Sequence, residues 1–90
     1  MAIRIHIPTP MRLHTENQPV VDTNGATVQA ALEDLGRKFP AVTQRIFENG
    51  QVRRFVNIYL NDEDIRYLDN LATAVKDGDE LSVIPAVAGG

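Results

Sequence analysis

"RRFVNIYLND", residues 53–62, sets Val56, Ile58 and Leu60 on one side of the chain and Phe55, Asn57 and Tyr59 on the other. That period of two belongs to a β-strand, and the β-branched and aromatic residues in it suit a pleated sheet. Both faces are partly apolar. The strand therefore needs cover from elsewhere in the chain.

Residues 27–39 supply it. Thr27 suits a helix N-cap, and Val28, Ala31, Leu32, Leu35 and Phe39 recur at helical spacing. Arg37 and Lys38 stand where the helix macrodipole favours positive charge, and Pro40 stops the helix. Nearer the N-terminus, Ile3, Ile5 and Ile7 alternate with Arg4 and His6 as a strand that Pro8 and Pro10 end. After the polar connection "RLHTENQ", "PVVD" (19–22) reads as a second strand, the return arm of a hairpin.

"AVTQRIFENG" (41–50) is read as a short helix closed by Asn49 and Gly50, with a hairpin turn between Phe47 and Val52 as the alternative. Beyond residue 62 the weak segment "IRYLDNLATAV" (65–75) leads through the turn "KDGD" (76–79) into a last strand, "ELSVIPAV" (80–87). The order is strand, strand, helix, short helix, strand, weak segment, strand, with no internal repeat or linker. That is an α+β class, expected as a single domain over residues 1–90 with one sheet packed on one main helix.

Composition narrows the function. A chain of 90 residues that is 43% hydrophobic and 23% charged is too apolar to be disordered. Its net charge of -3 offers no general positive field for nucleic acid or an anionic membrane surface, so neither is an expected partner. With no cysteine there is no disulfide, thiolate nucleophile or Cys-based metal site, which suits a cytoplasmic protein. No segment approaches transmembrane length.

The side chains present no enzyme active site. His6 and His14 have no zinc spacing and no nucleophile partner, and His6 is expected to face solvent. Asp62, Glu63 and Asp64 look briefly like a calcium loop, but Tyr67 occupies the position that needs glycine, which leaves a solvated turn. Arg53 and Arg54 beside Phe55 and Tyr59 could suggest stacking on single-stranded nucleic acid, against which the overall acidity argues.

What remains is "AVAGG", residues 86–90. A stem without bulky side chains threads narrow channels, and if the strand ends near Pro85, five residues reach at most about 16 to 18 Å. A terminal carboxylate is unreactive until an oxygen becomes a good leaving group, which an adenylate would achieve. The alternative is a frayed end with incidental glycines.

"IPTPMRLHT" (7–15), "RRFVNIYLNDEDIRY" (53–67), "LATAVKDGDEL" (71–81) and "IPAVAGG" (84–90) occur here in the same order as in the ubiquitin-like β-grasp sulfur carriers, the ThiS and MoaD family. The chain most resembles the branch of that family serving cysteine synthesis. The greater length between the main helix and "RFVNIYL" fits that branch better than a typical ThiS or MoaD. The resemblance implies a ubiquitin-like β-grasp with a mixed sheet, and a covalent substrate and carrier with no active site of its own.

In such families an ATP-using, E1-like enzyme of the MoeB/ThiF type adenylates the C-terminal glycine, here Gly90, and sulfur displaces AMP to leave a thiocarboxylate. Gly89 would meet the threading requirement, with Ala88, Val87 and Ala86 as the slim stem. The acceptor would be a pyridoxal-phosphate (PLP) cysteine synthase of the CysM type that uses O-phosphoserine. It would form a carrier–cysteine adduct that a metallopeptidase later cuts. ATP, PLP and zinc would belong to those partners and no cofactor to this chain.

If Val56, Ile58, Leu81 and Val83 face the helix, Phe55, Tyr59 and Ile84 lie opposite as a partner-binding patch. By resemblance, MoaD-like proteins meet their activating enzymes through this sheet face. The alternative is a second small core under the short helix and loops. Three further functions stay open: a molybdopterin synthase small subunit, a ubiquitin-like modifier joined through Gly90 to lysines, and a plain binding module.

Overall fold

The computed structural model describes residues 2–85. Strand β1 (Ala2–His6) turns through a 3₁₀ helix (Thr9–Thr15) into β2 (Val20–Asn24), followed by α1 (Val28–Lys38) and α2 (Pro40–Ile46). Then come β3 (Phe47–Glu48), β4 (Gln51–Val52), β5 (Val56–Leu60) and β6 (Glu63–Asp64). Two short 3₁₀ turns (Ile65–Tyr67 and Asn70–Ala72) lead to β7 (Glu80–Pro85).

Five strands form one sheet in the order β2-β1-β7-β5-β6. β1 and β7 run parallel and the other pairs antiparallel, which makes the sheet mixed, as expected. Ile3, Ile5 and Ile7 send their side chains to the same interior as Ile58, Leu81 and Val83. On the other side of that core α1 contributes Val28, Ala31, Leu32 and Leu35, each 0 or 1% exposed. The 3.6-residue apolar stripe meets the period-two stripe of the sheet, and water is excluded between them.

Local chemistry sets the ends of α1. The Thr27 hydroxyl accepts a hydrogen bond from the Ala30 N–H at 3.1 Å, satisfying a donor the helix itself cannot. Asp34 then ties the helix to β2, accepting from the Asn24 N–H at 2.9 Å. That bond, helped by Lys38 and Arg37, holds the Asp34 carboxyl below the ordinary carboxylate range against the opposing pull of burial.

Residues 40–52 correct the sequence reading. The helix stops at Ile46, and Asn49 and Gly50, at φ 55° and 78°, form the turn of a hairpin that pairs Phe47 with Val52. Two successive residues with positive φ are what a tight hairpin requires, and Asn-Gly is the pair that adopts them most readily. Helix and hairpin are therefore both present, and Asn49 and Gly50 serve the hairpin. The acidic triplet also departs from its reading as a solvated turn, because Glu63 and Asp64 form edge strand β6 and Asp64 is buried.

α1 and α2 meet closely at Gly36. A Cβ added there would stand 2.3 Å from the Thr43 hydroxyl oxygen, a buried atom with no hydrogen-bond partner among the described residues. Gly36→Ala is expected to destabilise the fold by about 1 kcal/mol or more, overcrowding outweighing the gain in helix propensity. In a Thr43→Ala background the sign should invert, to a stabilisation of up to about 1 kcal/mol. Urea unfolding of the two single variants and the double variant measures both.

Candidate functional site

Gly90, Gly89, Ala88, Val87 and Ala86 lie outside the described residues, so the site is built from the point where the tail begins. That point is Pro85, the last residue of β7, paired with Val56 of β5. β7 holds the middle of the sheet. Its first half pairs with both β1 and β5, through Arg4–Glu80 to His6–Ser82 on one side and Leu60–Leu81 onward on the other. Proline has no N–H to donate, so Pro85 itself gives the ladder no hydrogen bond from its nitrogen.

The turn before β7 is anchored at both ends. The Asp77 carboxylate accepts from the Ala2 N–H at 2.8 Å, and the Gly78 N–H donates to the Ala2 carbonyl at 2.9 Å. Asp79 accepts from the Lys76 N–H at 2.8 Å and closes the turn on itself. The "DGD" stretch thereby ties the start of β1 to the start of β7.

The three residues read as a partner-binding patch do not form one surface. Ile84, 44% exposed, and Tyr59, partly buried, share the open face of the sheet, across from Asn57 and Ser82 respectively. Neither the short helix nor the loops bury them, since α2 sends Val42 and Ile46 into the main core instead. Phe55, 52% exposed, precedes β5 in a turn closed by the Val56 N–H on the Arg53 carbonyl at 3.0 Å. It shares a groove with Pro85. Phe55 and Ile84 thus open to two different surfaces beside the same proline.

The open face carries polar side-chain pairs. Arg4 stands 3.8 Å from Asp22, and His6, expected to be merely solvated, bonds Glu80. Arg66 joins Asp64 at 2.8 Å and donates to the Asn57 side-chain carbonyl at 2.7 Å. Arg66 was invisible to pattern reading, because its partner lies hidden in a run of three acids. Among the described residues no cluster of three or more His, Cys, Asp or Glu side chains could hold a metal, and no helix is long and apolar enough to cross a membrane.

β7, the central strand of the mixed five-stranded sheet, is followed in sequence by the glycine-ended stretch 86–90. The ThiS family model matches residues 5–90. The chain belongs to the ThiS family. Among its ThiS-like relatives is the sulfur carrier protein CysO of Mycobacterium tuberculosis, 43% identical over 93 residues and all of both chains. Small archaeal modifier protein 3 of Haloferax volcanii is 42% identical over 65 residues, 72% of this chain and 71% of that one. Among solved structures, the Amycolatopsis orientalis BexX/CysO complex holds a chain similar at TM-score 0.92 and 40% identity, covering 98% of this chain and 99% of that one. The ubiquitin-like β-grasp expected from sequence is thereby established.

The Arg66 clamp makes a pH prediction. Hydrogen bonds from the Arg66 guanidinium, then from its backbone N–H, hold the Asp64 carboxyl below the ordinary carboxylate range despite its burial. A carboxyl depressed in the folded state contributes stability above its unfolded pKa, near about 4, and loses it as the pH falls through the lower folded value. Asp64→Asn should therefore cost about 1–3 kcal/mol at neutral pH, and the gap from wild type should close below about pH 4. Chemical denaturation across pH 2 to 8 reads it directly.

Proposed function

We propose that this chain is a sulfur carrier whose Gly90 is adenylated and then converted to a thiocarboxylate that supplies sulfur for cysteine synthesis. The observation that carries the reading is its likeness to CysO over the full length of both chains. An oxygen of the Gly90 carboxylate attacks the α-phosphorus of ATP and pyrophosphate leaves. Sulfur at the hydrosulfide level then attacks the acyl carbon, the bond to AMP breaks, and AMP departs with its electron pair. The product is anionic at neutral pH and a better nucleophile than the carboxylate, and only proteins that accept the tail receive it.

On this reading the chain performs no catalysis. An E1-like enzyme of the MoeB/ThiF type supplies the adenylation, a CysM-like PLP enzyme accepts the sulfur, and a metallopeptidase frees the cysteine. Dependence on ATP places the cycle in the cytoplasm. Gly89 and the slim residues Ala86, Val87 and Ala88 let Gly90 enter each active site, while the exposed apolar groups on either side of Pro85 meet the enzymes. The similarity to small archaeal modifier protein 3 favours a second reading, in which the activated Gly90 is joined to lysines of other proteins.

Intact-protein mass spectrometry of the chain isolated rapidly from its host, with an iodoacetamide-treated portion, tests the two. The carrier reading expects one oxygen replaced by sulfur in the C-terminal peptide, together with a cysteinyl adduct. Isopeptide-linked ladders on denaturing gels without the sulfur exchange would select the modifier, and an unmodified carboxylate in sulfur-replete cells would defeat both. Gly89→Val should lower thiocarboxylate formation by about tenfold or more, because added bulk obstructs threading, with the melting temperature unchanged.

A further inference from the structure

Beside Pro85 lies a groove of about 650 Å³, walled by Leu13, Phe55 and Val56, with Arg45 and Arg53 also lining it. We propose that this groove docks an apolar segment flanked by carboxylates on the adenylating enzyme. The inference rests on the sulfur-carrier reading and adds to it where, and by what chemistry, the enzyme takes hold.

Exposure of apolar groups is the first support. Among the described residues the exposed large hydrophobics are Leu13 at 79%, Phe55 at 52%, Tyr67 at 83% and Ile84 at 44%. Leu13 and Phe55 are far apart in sequence, yet both line this groove. Leu13 is carried by the Thr9–Thr15 helix, Phe55 by the turn before β5 and Arg45 by α2, while the paired residues Val56 and Pro85 close the groove at the edge of the sheet. Neither Leu13 nor Phe55 serves the core.

Charge is the second. The chain has a net charge of -3, and Arg4, Arg37, Lys38 and Arg66 are each paired with an aspartate. Arg45 and Arg53, on the groove, make no ion pair among the described residues, and nor do Arg12 and Arg54, each next in sequence to Leu13 or Phe55. Arg53 and Arg12 each donate Nε to a backbone carbonyl, of Gln44 at 3.1 Å and Ile7 at 3.0 Å, which holds these guanidinium groups in place without neutralising them. Glu48 shares an adjoining crevice with Arg53 and Arg54 but forms no ion pair with either. A local cationic rim on an acidic protein calls for carboxylates from outside.

Reach is the third. Five residues separate Pro85 from Gly90, a reach of at most about 16 to 18 Å, so an enzyme reacting at Gly90 must rest against this end of the molecule. The open sheet face at the same end offers less, since its Arg66 is already paired with Asp64 and Asn57, and the polar Asn57 and Ser82 separate Ile84 from Tyr59.

ATP–pyrophosphate exchange by the host's E1-like adenylating enzyme, with the full chain as substrate, tests the proposal. Leu13→Asn, Phe55→Asn and Arg45→Glu should each raise KM by about tenfold at nearly unchanged kcat. Arg45→Glu should also flatten the rise of KM with salt, and all three should melt like wild type. Tyr67→Asn, exposed elsewhere, serves as the control and should leave KM unchanged. Groove variants within twofold of wild type, or Ile84→Asn raising KM in their place, would overturn the groove as the docking site. So would a lowered KM, the sign expected if the chain's own tail filled it. Absence of exchange with the wild-type chain would overturn the sulfur-carrier reading along with it, whereas exchange by wild type with unmoved variants overturns the groove alone.

Discussion

β7 is gripped from both sides, parallel to β1 and antiparallel to β5, while Leu81 and Val83 are buried in the core that α1 also lines. Each of these two side chains buries apolar surface worth about 1.5 to 3 kcal/mol, and together with the paired backbone they make the middle of the sheet the hardest part to open. The described part of β7 ends at Pro85, five residues before Gly90. The anchoring of the "DGD" turn to Ala2 holds the strand at its other end.

Charge is distributed with a similar division. On the open face, bonds such as His6 with Glu80 and Arg66 with Asp64 and Asn57 join neighbouring elements, and most of what they do is internal. Around the groove beside Pro85 the arginines are left without carboxylate partners among the described residues. Exposed charges steer encounters and set their rate more than they add affinity, and salt screens them readily. For a carrier handed from one enzyme to the next, contacts that form fast and release easily suit the task better than a large buried interface.

The elements with an uninterrupted period were legible. Ile3, Ile5 and Ile7, the Val28–Leu35 stripe and the Val56–Ile58 alternation each report one apolar face, and each element stands where its pattern placed it. Residues 40–52 were harder, since a two-turn helix and a two-residue hairpin share so few positions that neither period completes. Asp64 was misread for another reason, because acid runs are usually solvated, whereas here the chain bends into the Ile65–Tyr67 3₁₀ turn and Asp64 caps it, accepting from the Arg66 backbone and guanidinium two residues on. Leu13 passed as part of a polar connection, and the 3₁₀ helix that displays it has no strong local signature.

By itself the sequence determined the order of the four longer strands and the two α-helices, the α+β class, and a slim glycine-ended segment after the last strand, because those follow from side-chain spacing and from glycine's lack of a Cβ. Only the tertiary structure decided that β7 lies between β1 and β5, that Phe55 and Ile84 part to either side of Pro85, and that Leu13, Arg45 and Phe55 line one groove. A local pattern records which face of an element avoids water. It carries no record of which distant element will cover that face, and the site at the root of the tail is assembled from distant elements.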